Sequence, residues 1–171
     1  VWNNAKITLT QFKDKMIKDK KENIEALESI VEKLELDSIP ERIEAYDISN
    51  IQGVDSVGSM VVFENGKAKN SDYRRFKIKT IDGPNDYKSM EEILQRRFVH
   101  GLEEIKMIQK GQVEYSNGKF SIFPDLIMMD GGKGQVNIAL DILKKLNINI
   151  PVCGLVKDNK HNTRGIIYNN K

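Results

Sequence analysis

The run Leu126-Ile127-Met128-Met129 ends in Asp130 and passes at once into Gly131-Gly132-Lys133-Gly134-Gln135. No other segment limits the fold as tightly. Four consecutive apolar residues led in by Pro124-Asp125 read as a strand buried on both faces, the pattern of a parallel sheet, and predict a strand over 125–130. The glycines predict a turn, and the spacing from Gln135 to Leu146 predicts a helix over 134–146. In open α/β sheets functional residues gather where strands end, because a helix starting there offers backbone N–H groups and a partial positive charge. A carboxylate in that position is costly to bury alone and needs a cation or a purpose. A turn or helix-cap aspartate is the competing reading. Against it stands a second aspartate, Asp47, in an equivalent strand-end setting.

The remaining elements follow from local pattern. Residues 6–36 are dominated by Lys and Glu, with Phe12, Met16, Ile24, Leu27, Ile30, Val31 and Leu34 at helical spacing, which predicts one or two amphipathic helices. The charged run Lys18 to Glu22 reads as their solvated face. Asp37-Ser38-Ile39-Pro40 breaks the pattern, giving a helical N-terminal segment over 1–40 and an α/β domain over 41–171. Arg42 to Ile48 alternates, with Ile43, Ala45 and Asp47 on one strand face and Glu44, Tyr46 and Ile48 on the other. Val57 to Phe63 is a second strand, closed by the hairpin signal Glu64-Asn65-Gly66-Lys67, and Tyr73 to Lys79 is a third. Asp86 to about Gln109 is helical, Gly111 to Lys119 a polar surface excursion, 150–156 a strand, and 165–168 a short further strand.

Length and charge bound the possibilities. A chain of 171 residues supports one full core, and a net charge of +2 is too small to announce nucleic-acid binding by itself. The lone cysteine, Cys153, excludes an internal disulfide and reads as a small core residue. No run approaches the ~20 apolar residues of a membrane span, so a soluble, cytoplasmic protein is expected. Val1 is not an initiator methionine and the chain stops just after a strand-like segment, so a fragment with a fold cut short at its C-terminus is expected.

Three hairpin-linked strands, then helix, strand, helix, strand, is the order of a ribonuclease-H-like mixed sheet: three antiparallel strands joined by parallel ones, with flanking helices. In that arrangement the first strand lies beside the fourth at the sheet centre, so Asp47 and Asp130 become neighbours facing one crevice. Two carboxylates that close repel unless a divalent metal neutralises them, and the chemistry such a site serves is metal-assisted phosphodiester hydrolysis.

Longer motifs carry a resemblance. Ile43-Glu44-Ala45-Tyr46-Asp47-Ile48-Ser49-Asn50, Gly58 to Phe63, Asp72-Tyr73-Arg74-Arg75-Phe76-Lys77-Ile78, Asp86-Tyr87, Arg96-Arg97-Phe98 and Pro124 to Gln135 follow in one register. From about Lys6 to Lys171 the chain resembles the C-terminal endonuclease region of UvrC, a family that forms part of the bacterial UvrABC excision nuclease. The resemblance implies a divalent-metal-dependent endodeoxyribonuclease, using Mg2+ or Mn2+, that makes the 5′ incision beside lesions in nucleotide excision repair. It implies damaged double-stranded DNA as substrate and UvrB as protein partner, through regions largely outside this chain. A separate N-terminal GIY-YIG domain would make the 3′ cut. By position, Asp47 and Asp130 match the two metal-binding aspartates, and Asp86 a third acidic residue of the same incision; a helix N-cap after Gly83-Pro84-Asn85 also accounts for Asp86. The family's catalytic histidine lies in an Asp-Glu-x-His-type motif on a later helix that this sequence does not reach, so the fragment is expected to be inactive alone. His161 reads as a surface residue of the loop after the last complete strand, and His100 as a helix-end residue. Asn50 departs from a histidine common after Asp-Ile-Ser.

Spacing also nominates phosphate contacts. Tyr73, Arg75, Lys77 and Lys79 share one strand face, a basic ladder with an aromatic at its head, although an edge strand guarded by lysines gives the same pattern. Arg96 and Arg97 form either a phosphate clamp or a salt-bridged helix face with Glu92. Lys133 sits at a helix start beside Asp130, and the Gly131 to Gly134 turn lacks Walker A spacing. The rival classes are an ATP-handling relative of the fold, for which Asp47 to Gly53 makes a poor phosphate loop, and a non-catalytic DNA- or protein-binding module.

Overall fold

The computed structural model describes residues 20–50, 56–79, 83, 85–115, 118–160 and 163–168. The elements run α1 (Lys20–Leu34), β1 (Arg42–Ser49), β2 (Val57–Glu64), β3 (Lys67–Ala68), a 3-10 turn (Asn70–Asp72), β4 (Arg74–Lys77), α2 (Asp86–Gln109), β5 (Leu126–Asp130), α3 (Lys133–Lys145), β6 (Val152–Lys157) and β7 (Thr163–Tyr168). They build one mixed sheet in the order β3-β2-β1-β5-β6-β7, with β4 also paired to β2. The antiparallel hairpin β1–β2 meets the parallel strands β5 and β6 through β1, so the expected central pair of first strand and β5 is present. The Asn65-Gly66 turn takes the left-handed backbone, φ 53° and 78°, that a tight hairpin requires.

The strand expected over 73–79 is present, shortened to β4, and a further short strand, β3, precedes it. β3 pairs with the end of β2 and β4 with its start, and the polar turn Asn70–Asp72 lies between them. Asn, Ser and Asp favour turns over ladders, which explains the interruption. The helix expected over 6–36 is seen as α1 from Lys20, the rest lying outside the described residues. His100 stands inside α2, not at its end, with its ring edge against Phe120.

Side-chain alternation sorts the core into two layers. On one face Tyr46, Met60, Val62, Ile127, Met129 and Val152 pack under α2 and α3, through Met90, Ile93, Leu94, Phe98, Val136 and Ala139. On the other, Ile43, Ala45, Val61, Phe63, Leu126, Met128 and Cys153 pack under Leu27, Ile30 and Leu34 of α1. Burial pushes the Cys153 thiol up to about 12, which suits a core residue and not a nucleophile.

A buried charge sits within the first layer. Glu44 has no exposed surface, and its carboxylate accepts from Arg97 at 2.8 and 3.2 Å, from Arg42 at 3.2 Å and from the Tyr46 hydroxyl. Arg97 also donates to the carbonyls of Phe120 and Ile122 at 2.7 and 2.8 Å, and Arg42 to Asp72 at 2.6 Å. At the start of the two central strands, Asp125 Oδ2 accepts from the backbone N–H groups of Glu41 and Arg42, both at 3.0 Å. Replacing Glu44 by Gln takes the ion-pair partner from the buried Arg97 and leaves Arg42 with Asp72 alone. Urea denaturation of Glu44→Gln is expected to show a loss of ~3–5 kcal/mol, and a loss below ~1 kcal/mol would show that the network is not integral to folding.

Candidate active site

Asp47 continues the face of Ile43 and Ala45 on β1, and Asp130 that of Leu126 and Met128 on β5. The parallel register runs from Ile43 opposite Leu126 to Tyr46 opposite Met129, so the next step sets Asp47 level with Asp130. The two side chains are within hydrogen-bonding reach of each other. Asp47 is only 8% exposed, and burial, reinforced by the Asp130 carboxylate, pushes it up to about 7. The second oxygen of Asp130 accepts from Lys157 Nζ at 2.6 Å, both side chains being 18% exposed.

The turn after Asp130 depends on glycine. Gly131 has φ +155°, and a Cβ there would meet Gln135 Cγ at 2.6 Å; a Cβ on Gly154 of β6 would meet the Gly131 carbonyl oxygen at 2.5 Å. Gly132, not Asp130, is the N-cap of α3, with no side-chain cap. The cap reading of Asp130 is thus removed, and its carboxylate is left to Asp47 and Lys157.

Asp86 is placed differently from the expectation. The N-cap of α2 is Asn85, whose side chain accepts from Lys88 N at 3.1 Å, so Asp86 is the first helical residue and not the cap. Its carboxylate accepts from Asn50 Nδ2 at 2.6 Å, while Asn50 Oδ1 accepts from Ser56 Oγ at 2.6 Å. Asn50 therefore ties the end of β1 to the start of α2, a link that the spacing of neither residue announces. Among the described residues no three His, Cys, Asp or Glu side chains converge as a metal-holding group. Among the described residues, Asp47 and Asp130 form a close pair of carboxylates. Their hard oxygen donors fit a hard divalent cation.

The basic candidates separate. Arg75, Lys77 and Lys79 are exposed, and Phe76 and Ile78 point into the core, as alternation requires. Arg75 lies opposite Ser59, which lies opposite Asp47, so a cationic side chain stands on the same sheet face roughly 10 Å from the acidic pair. Lys133 is exposed at the start of α3. Tyr73 does not head the ladder: it precedes β4, and its half-buried ring packs against both core layers. Arg97 is not a phosphate ligand, because it is 1% exposed and spent on Glu44 and two carbonyls. Arg96 donates to the Lys77 carbonyl at 2.7 Å and pairs with Glu92 at 3.4 Å over the Phe76 ring, the salt-bridged helix face and not the clamp. His161 lies outside the described residues. Lys157 is a site residue that sequence reasoning misses; it follows Gly154-Leu155-Val156 at a strand end, as Asp130 does, but the pattern does not show what it meets.

The sign of the Asp47 shift fixes a pH dependence. The folded chain holds a proton up to about pH 7 that the unfolded chain releases near pH 4, so stability falls as pH rises between those values. Asp47→Asn removes that dependence. In chelator it is expected to be more stable than the parent at pH 8 by on the order of 2–4 kcal/mol, with the gain shrinking toward pH 5. Parallel stability–pH curves for the two proteins would contradict the buried pair.

Residues 31–171 match the family described as the UvrC RNAse H endonuclease domain. UvrABC system protein C of Clostridium beijerinckii is 74% identical over 170 residues, covering 99% of this chain and 27% of that protein. That of Clostridium perfringens is 72% identical over all 171 residues, and that of Clostridium novyi 70%. The chain thus spans 27–28% of the length of these relatives. Among solved structures, Ciona intestinalis Endonuclease V with an inosine-containing 24mer DNA gives a TM-score of 0.42 at 13% identity, covering 84% of this chain and 62% of that one. The catalytic domain of human Endonuclease V gives 0.36 at 13% identity, covering 82% and 64%.

Proposed function

The chain belongs to the UvrC RNase H endonuclease domain family, and from that premise we propose that it makes the 5′ incision beside DNA lesions in a divalent-metal-dependent reaction. One observation carries the reading: Asp47 and Asp130 meet on adjacent parallel strands, at the strand ends, on one face of the sheet. Asp47 and Asp130 hold the ion, which is Mg2+ or Mn2+. When bound, it supplies an activated water and charge stabilisation at the scissile phosphate. The chain's own residues do the rest. Burial makes Asp47 a poor isolated anion and so favours a shared cation. Asn50 ties Asp86 to the end of β1, three residues beyond Asp47, and Asp86 there bears on substrate position.

Damaged double-stranded DNA is the substrate, delivered with the UvrB component of the excision nuclease, and the reaction belongs to the bacterial cytoplasm. Arg75 and Lys77 on one side of the acidic pair, and Lys133 on the other, follow the phosphate backbone. Their contact is with charge, so it is indifferent to sequence.

Two measurements test this. In the assembled excision nuclease, Asp47→Asn and Asp130→Asn are each expected to abolish the 5′ cut while leaving the 3′ cut; a 5′ cut retained by either would overturn the assignment. For DNA binding, Arg75→Ala, Lys77→Ala and Lys133→Ala should each flatten the slope of log affinity against log salt by roughly 1 unit. Phe76→Ala, on the buried face, should instead cost stability on the order of 3 kcal/mol with little change of slope. Identical behaviour of all four variants would remove the basic face from the interface.

A further inference from the structure

We propose that Lys157 is the resident counter-cation of the Asp47–Asp130 pair, and that a divalent ion enters by displacing its ammonium from Asp130. The inference rests on the reading of those aspartates as the metal-holding residues. Its geometry is direct: Lys157 Nζ lies 2.6 Å from Asp130 Oδ2, and each side chain is 18% exposed. Water therefore screens the pair less than it would a surface ion pair.

The local backbone aims the lysine. Asp130 lies opposite Leu155 in the β5–β6 register, and a register shift falls between Val156 and Lys157 where β6 pairs with β7. The extra residue there is Arg164 of β7, so β6 keeps its alternation and Lys157, two residues beyond Leu155, shares the sheet face of Asp130. From that face its side chain reaches across the sheet end to Asp130. Its ammonium occupies a lone pair on a carboxylate that already faces Asp47 with its neighbouring atoms. A divalent ion held by both carboxylates would lie beside that ammonium, and two cations on one carboxylate repel. A lysine resolves the conflict more readily than an arginine, since a compact ammonium on a flexible four-carbon stem can swing to water while keeping its charge. Lys157 is thus a positioning residue: it keeps the acidic pair compensated and sets the threshold at which metal enters.

The test is Mn2+ binding to the 171-residue chain, followed by the electron paramagnetic resonance signal of unbound Mn2+. Lys157→Met keeps the stem and removes the charge, and should bind Mn2+ on the order of tenfold more tightly than the parent. Lys157→Arg keeps the charge on a head group less readily displaced, and should gain no affinity over the parent. General structural damage would weaken binding, so a gain is specific to relieved competition. Equal or weaker binding by Lys157→Met overturns the proposal. If the parent binds Mn2+, Asp47→Asn abolishes it and Lys157→Met gains nothing, the lysine inference alone fails. If neither parent nor Lys157→Met binds Mn2+, the metal-site reading fails with it. Should Lys157→Met not fold, the unaltered chain decides by nuclear magnetic resonance. The protected ammonium signal of Lys157 is expected to vanish into solvent exchange at saturating Mg2+, and its persistence overturns the proposal.

Discussion

The structure hangs on one buried anion. Glu44 lies in the middle of the sheet's central strand, on the face that α2 covers, and a carboxylate there is tolerable only if every oxygen is compensated. Arg97 compensates it from α2 and Arg42 from β1 itself, while Tyr46 donates its hydroxyl, which burial and the Glu44 charge hold well above its ordinary pKa. The same two guanidinium groups also donate to the carbonyls of Phe120 and Ile122 and to Asp72. A long helix, a connecting segment without regular structure and the turn beside β4 are thereby indexed to β1. Apolar packing could hold the same layers together, but it would not specify their azimuth as sharply. Asp47 is three residues farther along that strand, so the network sets the platform on which the acidic pair stands.

Charge is arranged differently on the two faces of β1. Beneath α2 the strand presents Glu44 sealed by arginines; toward the opposite face it presents Asp47, whose neighbours are Asp130 and, beyond that, Lys157. The first is satisfied within the protein by buried partners. The second has Lys157 as the charge partner of Asp130, while burial raises the pKa of Asp47. Two acidic residues three positions apart thus meet opposite surroundings, and what separates them is which side of a pleated strand they occupy.

Much of this is legible in the sequence. Alternation in Arg42 to Ile48 puts Asp47 on its face, the apolar run before Asp130 marks β5, and Asn65-Gly66 marks the hairpin, because each is written in residues close together. What escapes is written across distance. Glu44 and Arg97 are 53 residues apart, and a charged residue in an alternating strand reads as solvent-facing until its partner is placed. Arg97 and Tyr73 suit DNA by residue type, but Arg97 is buried and the half-buried Tyr73 ring packs against the core. Lys157 is 27 residues from Asp130, with all of α3 between them, so only the completed parallel pair β5–β6 brings them together. Asn85 takes the cap expected of Asp86 because asparagine and aspartate cap equally well and the sequence offers both in succession.

The clasp at the other end of the central strands has a further meaning. Asp125 and Arg42 are joined by backbone and side-chain hydrogen bonds; Asp47 stands five residues beyond Arg42, and Asp130 five beyond Asp125. The two strands are arms of equal length pinned at a common pivot, and the carboxylates meet because the arms match. A residue gained or lost in one arm alone would not merely shift its aspartate by about 3.3 Å but turn it to the opposite face of the sheet. Within these two short stretches the chain can change its side chains but not its count. The spacing is itself a heritable part of the site, one that a residue-by-residue comparison of active-site identities would never display.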